Sequence, residues 1–127
     1  MKVLIVEDDI LIRIFVRKTL FNNGCEEVFE TPEGGEALDI VEQNLPEVVL
    51  IDIKLKGSLD GIEIAKRIKS DADKDVTLVY MSAYDQAVFD QEEIDSLFDY
   101  YLSKPIDPDE VKELCEKLSS QEGRHDK

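Results

Sequence analysis

The sequence has no tryptophan, a single histidine (His125) and only two cysteines, Cys25 and Cys115. One histidine in a polar stretch argues against histidine-based catalysis and His-rich metal sites. Two cysteines without CxxC or other metal-type spacing argue against a zinc or dithiol motif. Cys25 lies near Val28 and Phe29 and Cys115 within a helical apolar stripe, so both read as reduced core residues. No run of about 18 apolar residues occurs, which excludes a membrane-spanning helix. An apolar run starting just after Lys2 leaves no room for a signal peptide, and the protein is expected to be soluble and cytoplasmic. Basic residues are also scarce: 15 against 30 acids, for a formal net charge of −15. Such a surface repels phosphate backbones and anionic lipid, so neither nucleic acid nor membrane is an expected partner.

What remains is ample core material. Hydrophobic residues make up 43% of the 127, enough for one globular domain. Three strong apolar runs stand out: Val3-Leu4-Ile5-Val6, Val48-Val49-Leu50-Ile51 and Val76 to Met81. Weaker ones lie near Cys25 to Phe29 and Phe98 to Leu102. The strong runs do not alternate polar with apolar, as expected for parallel strands covered on both faces. Helical patterns lie between them. In the last, Asp107 can cap, Pro108 suits the first helical position, and Val111, Leu114, Cys115 and Leu118 share a face. Asp60 opens another helix, carrying Ile64, Ala65 and Ile68. Strands alternating with helices predict a doubly wound α/β fold with a five-stranded parallel sheet. One domain is expected over residues 1–119, followed by a polar, frayed tail over 120–127.

Polar groups follow the apolar runs. Glu7 and Asp8 come after the first, Asp52 after the third, Ser82 after the fourth and Lys104 after the fifth. In a parallel sheet all these ends share one edge, outside which ligands bind. Singly, each has a plain explanation as a helix cap, a turn residue or a surface charge. Together, three carboxylates repel one another unless a cation intervenes, and carboxylate oxygens with waters are what Mg²⁺ prefers. Lys104 adds a fixed positive charge and Ser82 a hydroxyl donor. Such a set suits phosphoryl transfer onto a carboxylate.

The segments VLIVEDD, VVLIDIKLKGSLDG, VYMSA and YYLSKP, in this order, resemble the receiver domain of two-component response regulators over about residues 1–119. The resemblance implies a flavodoxin-like sheet of order 2-1-3-4-5. Asp52 then matches the phosphate-accepting aspartate, Asp8 the direct Mg²⁺ ligand, and Glu7 its acidic neighbour acting through water. Lys54 would offer a backbone carbonyl to the metal, Ser82 matches the switch hydroxyl, Lys104 the conserved-type lysine and Tyr101 the aromatic switch residue. The Lys104–Pro105 bond is expected to be cis. Asp9 reads as a helix-start acid outside the metal shell. The implied partners are a sensor histidine kinase or histidine phosphotransfer protein, and a downstream protein met by the fourth helix, fifth strand and fifth helix. The implied activity is that of a phospho-acceptor switch rather than a turnover enzyme.

Some features depart from the family pattern. The loop Lys54-Leu55-Lys56-Gly57-Ser58-Leu59 lacks the proline many members carry, and Ser96-Leu97-Phe98 replaces a small pair before the fifth strand. Lys54 and Tyr84 could lean over the phosphoryl group and limit access of water. The first helix carries more apolar residues than one stripe can bury: Ile10, Leu11 and Ile14 point away from Ile12, Val16 and Leu20. With Arg13 and Arg17 beside them, the outward set reads as a docking patch rimmed by bases. No lysine or arginine lies between Lys74 and Lys104, whereas Asp75, Asp85, Asp90, Glu92, Glu93, Asp95 and Asp99 do. That acidic stretch suits a basic output partner. Rival readings are an interaction module that is never phosphorylated and an Mg²⁺-dependent phosphatase, which would want a second acid where Lys54 stands. A flavodoxin is weaker, since no Ser/Thr/Gly-rich loop follows the first strand. The sequence leaves phosphorylation-linked dimerisation undecided.

Overall fold

A computed structural model describes residues 1–54, 60–71, 75–83 and 91–125, with side chains to Ser120. The elements alternate: β1 Lys2–Val6, α1 Ile10–Asn22, β2 Glu27–Thr31, α2 Gly34–Asn44, β3 Val48–Asp52, α3 Gly61–Lys69, β4 Thr77–Ser82, α4 Gln91–Leu97, β5 Tyr100–Ser103 and α5 Pro108–His125. All strand pairs are parallel, in the order β2-β1-β3-β4-β5. The strand order reverses between β1 and β3, so a crevice opens beyond the carboxyl ends of these two strands.

Both sheet faces are covered, which explains the unbroken apolar runs. Leu4, Val49, Ile51 and Leu78 pack on one face with Ile64 and Ile68 of α3. Val3, Ile5, Leu50 and Val79 pack on the other with Val16 of α1 and Leu114 of α5. Each fully buried side chain of this kind contributes roughly 1.5–3 kcal/mol by leaving water.

The helix starts follow their capping acids. Asp9 accepts from the backbone N–H of Leu11 (2.9 Å) and Ile12 (3.4 Å), as expected of a helix-start acid. Asp60 accepts from Glu63 N (2.9 Å) and Asp107 from Asp109 N (2.9 Å), with Pro108 as the first residue of α5.

Three boundaries differ from those expected. Asp52 and Ser82 are the last residues of their strands rather than the first beyond them, because their backbones still pair with neighbouring strands. Phe98, two residues before β5, closes α4, its N–H donating to Ile94 O (3.0 Å). The backbone of α5 continues to His125, so the polar stretch expected to fray beyond Ser119 begins as helix. Tyr84, Asp85, Ala87, Asp90 and the loop residues Leu55 to Leu59 lie outside the described residues.

Candidate functional site

The sheet's carboxyl edge gathers the acids. Glu7 directly follows β1 and is fully buried, Asp52 ends β3 and is 5% exposed, and Asp8 is half-buried between Glu7 and the α1 cap. One carboxylate oxygen from each of Glu7, Asp8 and Asp52 lies within 4.8 Å of the others. Lys104, just past β5, reaches into this group. Its Nζ sits 2.6 Å from Glu7 Oε1 and 3.1 Å from Asp52 Oδ2. The other oxygen of Asp52 accepts from the Lys54 backbone N–H at 3.0 Å. Residues far apart in the chain thus share one pocket because parallel strands end together.

Electrostatics follow from this crowding. Burial raises the Glu7 carboxyl to about 7, against the opposing Lys104 hydrogen bond, and neighbouring Asp52 pushes it the same way. For Lys104, burial disfavours the ammonium, but the hydrogen bond to Glu7 and the charge of Asp52 outweigh it and hold the pKa above its ordinary value. The result is a permanently charged ammonium between two carboxylates, one of them reluctant to ionise. A hard divalent cation suits this donor set: three oxygen ligands on one side, with water completing the shell.

The remaining predicted residues stand around this centre. The Ser82 side chain is buried and its hydroxyl donates to Ala83 O (2.9 Å). Its backbone carbonyl accepts from Lys104 N (2.9 Å), which ties the serine strand to the lysine. The Lys104–Pro105 peptide is cis, as expected. Lys54 is exposed at the carboxyl side of Asp52. Tyr101 is 41% exposed, away from the acids, with its ring 4.6 Å from that of its register partner Tyr80.

Three contributors escape a sequence reading. A Cβ on Gly61 would collide with the Asp52 carbonyl oxygen and come within 2.8 Å of Ile53 Cα. Only glycine therefore lets α3 start against the end of β3. The Asp60-Gly61 pair was the available signal. Tyr80 hides inside an apolar run, yet burial raises its hydroxyl's pKa against the opposing effect of the Gln91 side chain, and Phe98 packs against its ring at 5.1 Å. Arg13, read as a rim base, is turned inward instead: its side chain is 13% exposed and bonds Glu7 O at 2.8 Å.

The outward set on α1 is exposed as expected. Ile10, Leu11 and Ile14 are 57%, 74% and 50% exposed, while Val16 and Leu20 are buried. The acidic stretch is partly engaged: Lys66 pairs with Glu93 (3.3 Å), Lys69 with Asp99 (3.7 Å), and Gln91 donates to Asp95 (2.9 Å).

Known proteins are similar to this chain in sequence and in fold. The chain is 37% identical over 116 residues to sporulation initiation phosphotransferase F of Bacillus subtilis (strain 168), covering 91% of each. It is 31% identical to the response regulator MprA of Mycobacterium sp. (strain KMS), covering 96% of this chain but only 54% of that protein. Among solved structures, the REC domain of AraT, a response regulator from Geobacillus stearothermophilus, superposes with a TM-score of 0.86 at 27% identity, covering 99% of this chain and 98% of that one. The Francisella response regulator 1452 receiver domain does so with a TM-score of 0.80 at 29% identity, covering 94% and 97%. The family model for the response regulator receiver domain matches residues 3–116, from the middle of β1 into α5, and so takes in every strand end that builds the acidic pocket. With fold, pocket and sequence in agreement, this chain belongs to the response regulator receiver family of two-component signalling.

Proposed function

We propose that Asp52 is the phospho-acceptor of this receiver, taking a phosphoryl group from a phosphohistidine of a sensor histidine kinase or histidine phosphotransfer protein. One observation carries this reading: the Lys104 ammonium lies between Glu7 and Asp52, next to an oxygen of the proposed nucleophile. An Asp52 oxygen would attack phosphorus, the P–N bond would break, and the imidazole would leave with its electron pair. Lys104 and the Ser82 hydroxyl would bind the transferred oxygens. Glu7, Asp8, Asp52 and the Lys54 carbonyl would hold Mg²⁺, which when bound offsets the charge on the phosphoryl group. Water would later hydrolyse the acyl phosphate, with Lys54 and Tyr84 limiting its approach. Residues 1–119 would form the working unit.

The donor would dock on the exposed apolar side of α1, close to Asp8. A shift of Ser82 toward the phosphate would let Tyr101 turn inward, changing the surface formed by α4, β5 and α5 for a downstream partner of basic character. The similarity to a sporulation initiation phosphotransferase supports phosphoryl transfer as the chemistry.

Intact mass after incubation with acetyl phosphate and Mg²⁺ tests the reading. A single phosphoryl adduct is expected, lost in Asp52→Asn and lost without Mg²⁺. Absence of an adduct with both acetyl phosphate and a phosphorylated histidine kinase would favour an interaction module that is never phosphorylated.

A further inference from the structure

We propose that Arg13 is a positioning residue for the cation site, fixing the loop that carries Glu7 and Asp8 to β2. The proposal rests on the reading of Glu7, Asp8 and Asp52 as the Mg²⁺ ligands. Long side chains on a helix lean toward its N-terminus, so Arg13, in the second turn of α1, reaches back over the loop before that helix. Its Nη1 donates to Glu7 O at 2.8 Å, while its Nε faces Glu30 Oε1 on β2 at 3.4 Å. Glu30 also accepts from Arg17 at 3.0 Å. On its other side, Glu7 donates its N–H to Thr31 O of β2 at 3.1 Å. Both peptide groups flanking the Glu7 Cα are therefore tethered to β2, one directly and one through the guanidinium.

The Glu7–Asp8 peptide sets the direction in which the Asp8 side chain leaves the backbone. Groups that orient metal ligands in this indirect way commonly change affinity by about 10–100-fold when removed. Arg17 provides the internal comparison. It carries the same charge, lies on the same helix and meets the same Glu30, but its side chain is 52% exposed and its hydrogen bond goes to Glu30, not to the Glu7–Asp8 loop.

Charge alone predicts the opposite sign. Removing a cation from a protein of net charge −15 strengthens attraction for Mg²⁺. Loss of positioning weakens it.

The test is an Mg²⁺ titration of the whole chain without any phosphodonor, followed by backbone amide chemical shifts. Thermal melts by circular dichroism accompany it. Arg13→Gln should raise the Mg²⁺ dissociation constant by roughly tenfold, the lower end of what such indirect partners contribute. Arg13→Lys, which keeps the charge but loses the fork, should fall between that variant and wild type. Arg17→Gln should bind as wild type or slightly tighter. Unchanged or tighter binding by Arg13→Gln, or equal weakening by Arg17→Gln, overturns the proposal. If Arg13→Gln does not fold, Arg13→Lys decides: weaker binding supports positioning and unchanged binding overturns it. If wild type itself binds no Mg²⁺, the metal reading falls and this proposal with it. If wild type binds and Arg13→Gln matches it, only the positioning role falls.

Discussion

Glu7 has an ammonium 2.6 Å from its carboxylate, yet burial wins and its pKa rises to about 7. The folded chain therefore holds this proton more tightly than the unfolded chain, whose carboxyl keeps the ordinary 4.5. The stability contributed by the group is full below pH 4.5 and is lost as pH rises through about 7. In EDTA, urea midpoints should show Glu7→Gln gaining on wild type as pH is raised from 4.5 through about 7, and a constant gap would contradict this. Mg²⁺ and the proton compete for the same oxygens, so Mg²⁺ affinity should fall as pH drops through about 7. Glu7, Asp8, Asp52 and Lys104 were legible in the sequence because each follows an apolar run, and parallel strands bring such positions together. Arg13, Gly61 and Tyr80 were not, because their roles come from approaches across the fold: a guanidinium folding back on a loop, a backbone packed against a backbone, a hydroxyl meeting Gln91.

Among the helices, α1 carries two apolar faces, and the contrast between Leu11 at 74% exposure and buried Val16 separates them. Leu11→Glu should cut phosphoryl transfer from a histidine phosphotransfer protein by at least tenfold, the effect of losing about 1.4 kcal/mol of docking. Acetyl phosphate should still modify that variant at the wild-type rate, since Leu11 is no part of the pocket. For α3, Gly61→Ala forces its first turn away from the Asp52 carbonyl and should cost about 1–3 kcal/mol in urea unfolding. The sequence pattern of α1 showed its excess of apolar residues directly. That of α4 showed little, and with reason: in Gln91–Leu97 only Ile94 is buried, and part of the helix's attachment is polar, as in the Lys66–Glu93 pair. Contacts of that kind leave no apolar period to read.

Over the whole molecule, a net charge of −15 means self-repulsion that salt should relieve. The melting temperature should rise between low salt and physiological ionic strength, where the screening length falls to about 8 Å. A fall would mean that ion pairs such as Arg17–Glu30 and Lys66–Glu93 outweigh the repulsion. The number of strands and their parallel sense came from unbroken apolar runs, whereas the order 2-1-3-4-5 came from family resemblance. Periodicity carries no information on which strand lies beside which. Finally, Cys25, before β2, and Cys115, on α5, are 2% and 4% exposed, lie in the same core cluster, and the Cys25 side chain lowers the pKa of the Cys115 thiol. Both cysteines are buried in the core cluster that Val111, Leu114 and Leu118 of α5 help to form, so labelling of either requires that packing to open. The rate at which an alkylating agent labels this pair therefore serves as a clock for the lifting of α5, and running it with and without the phosphoryl group would time how far modification at the proposed acceptor, Asp52, loosens the helix that packs on its own side of the sheet.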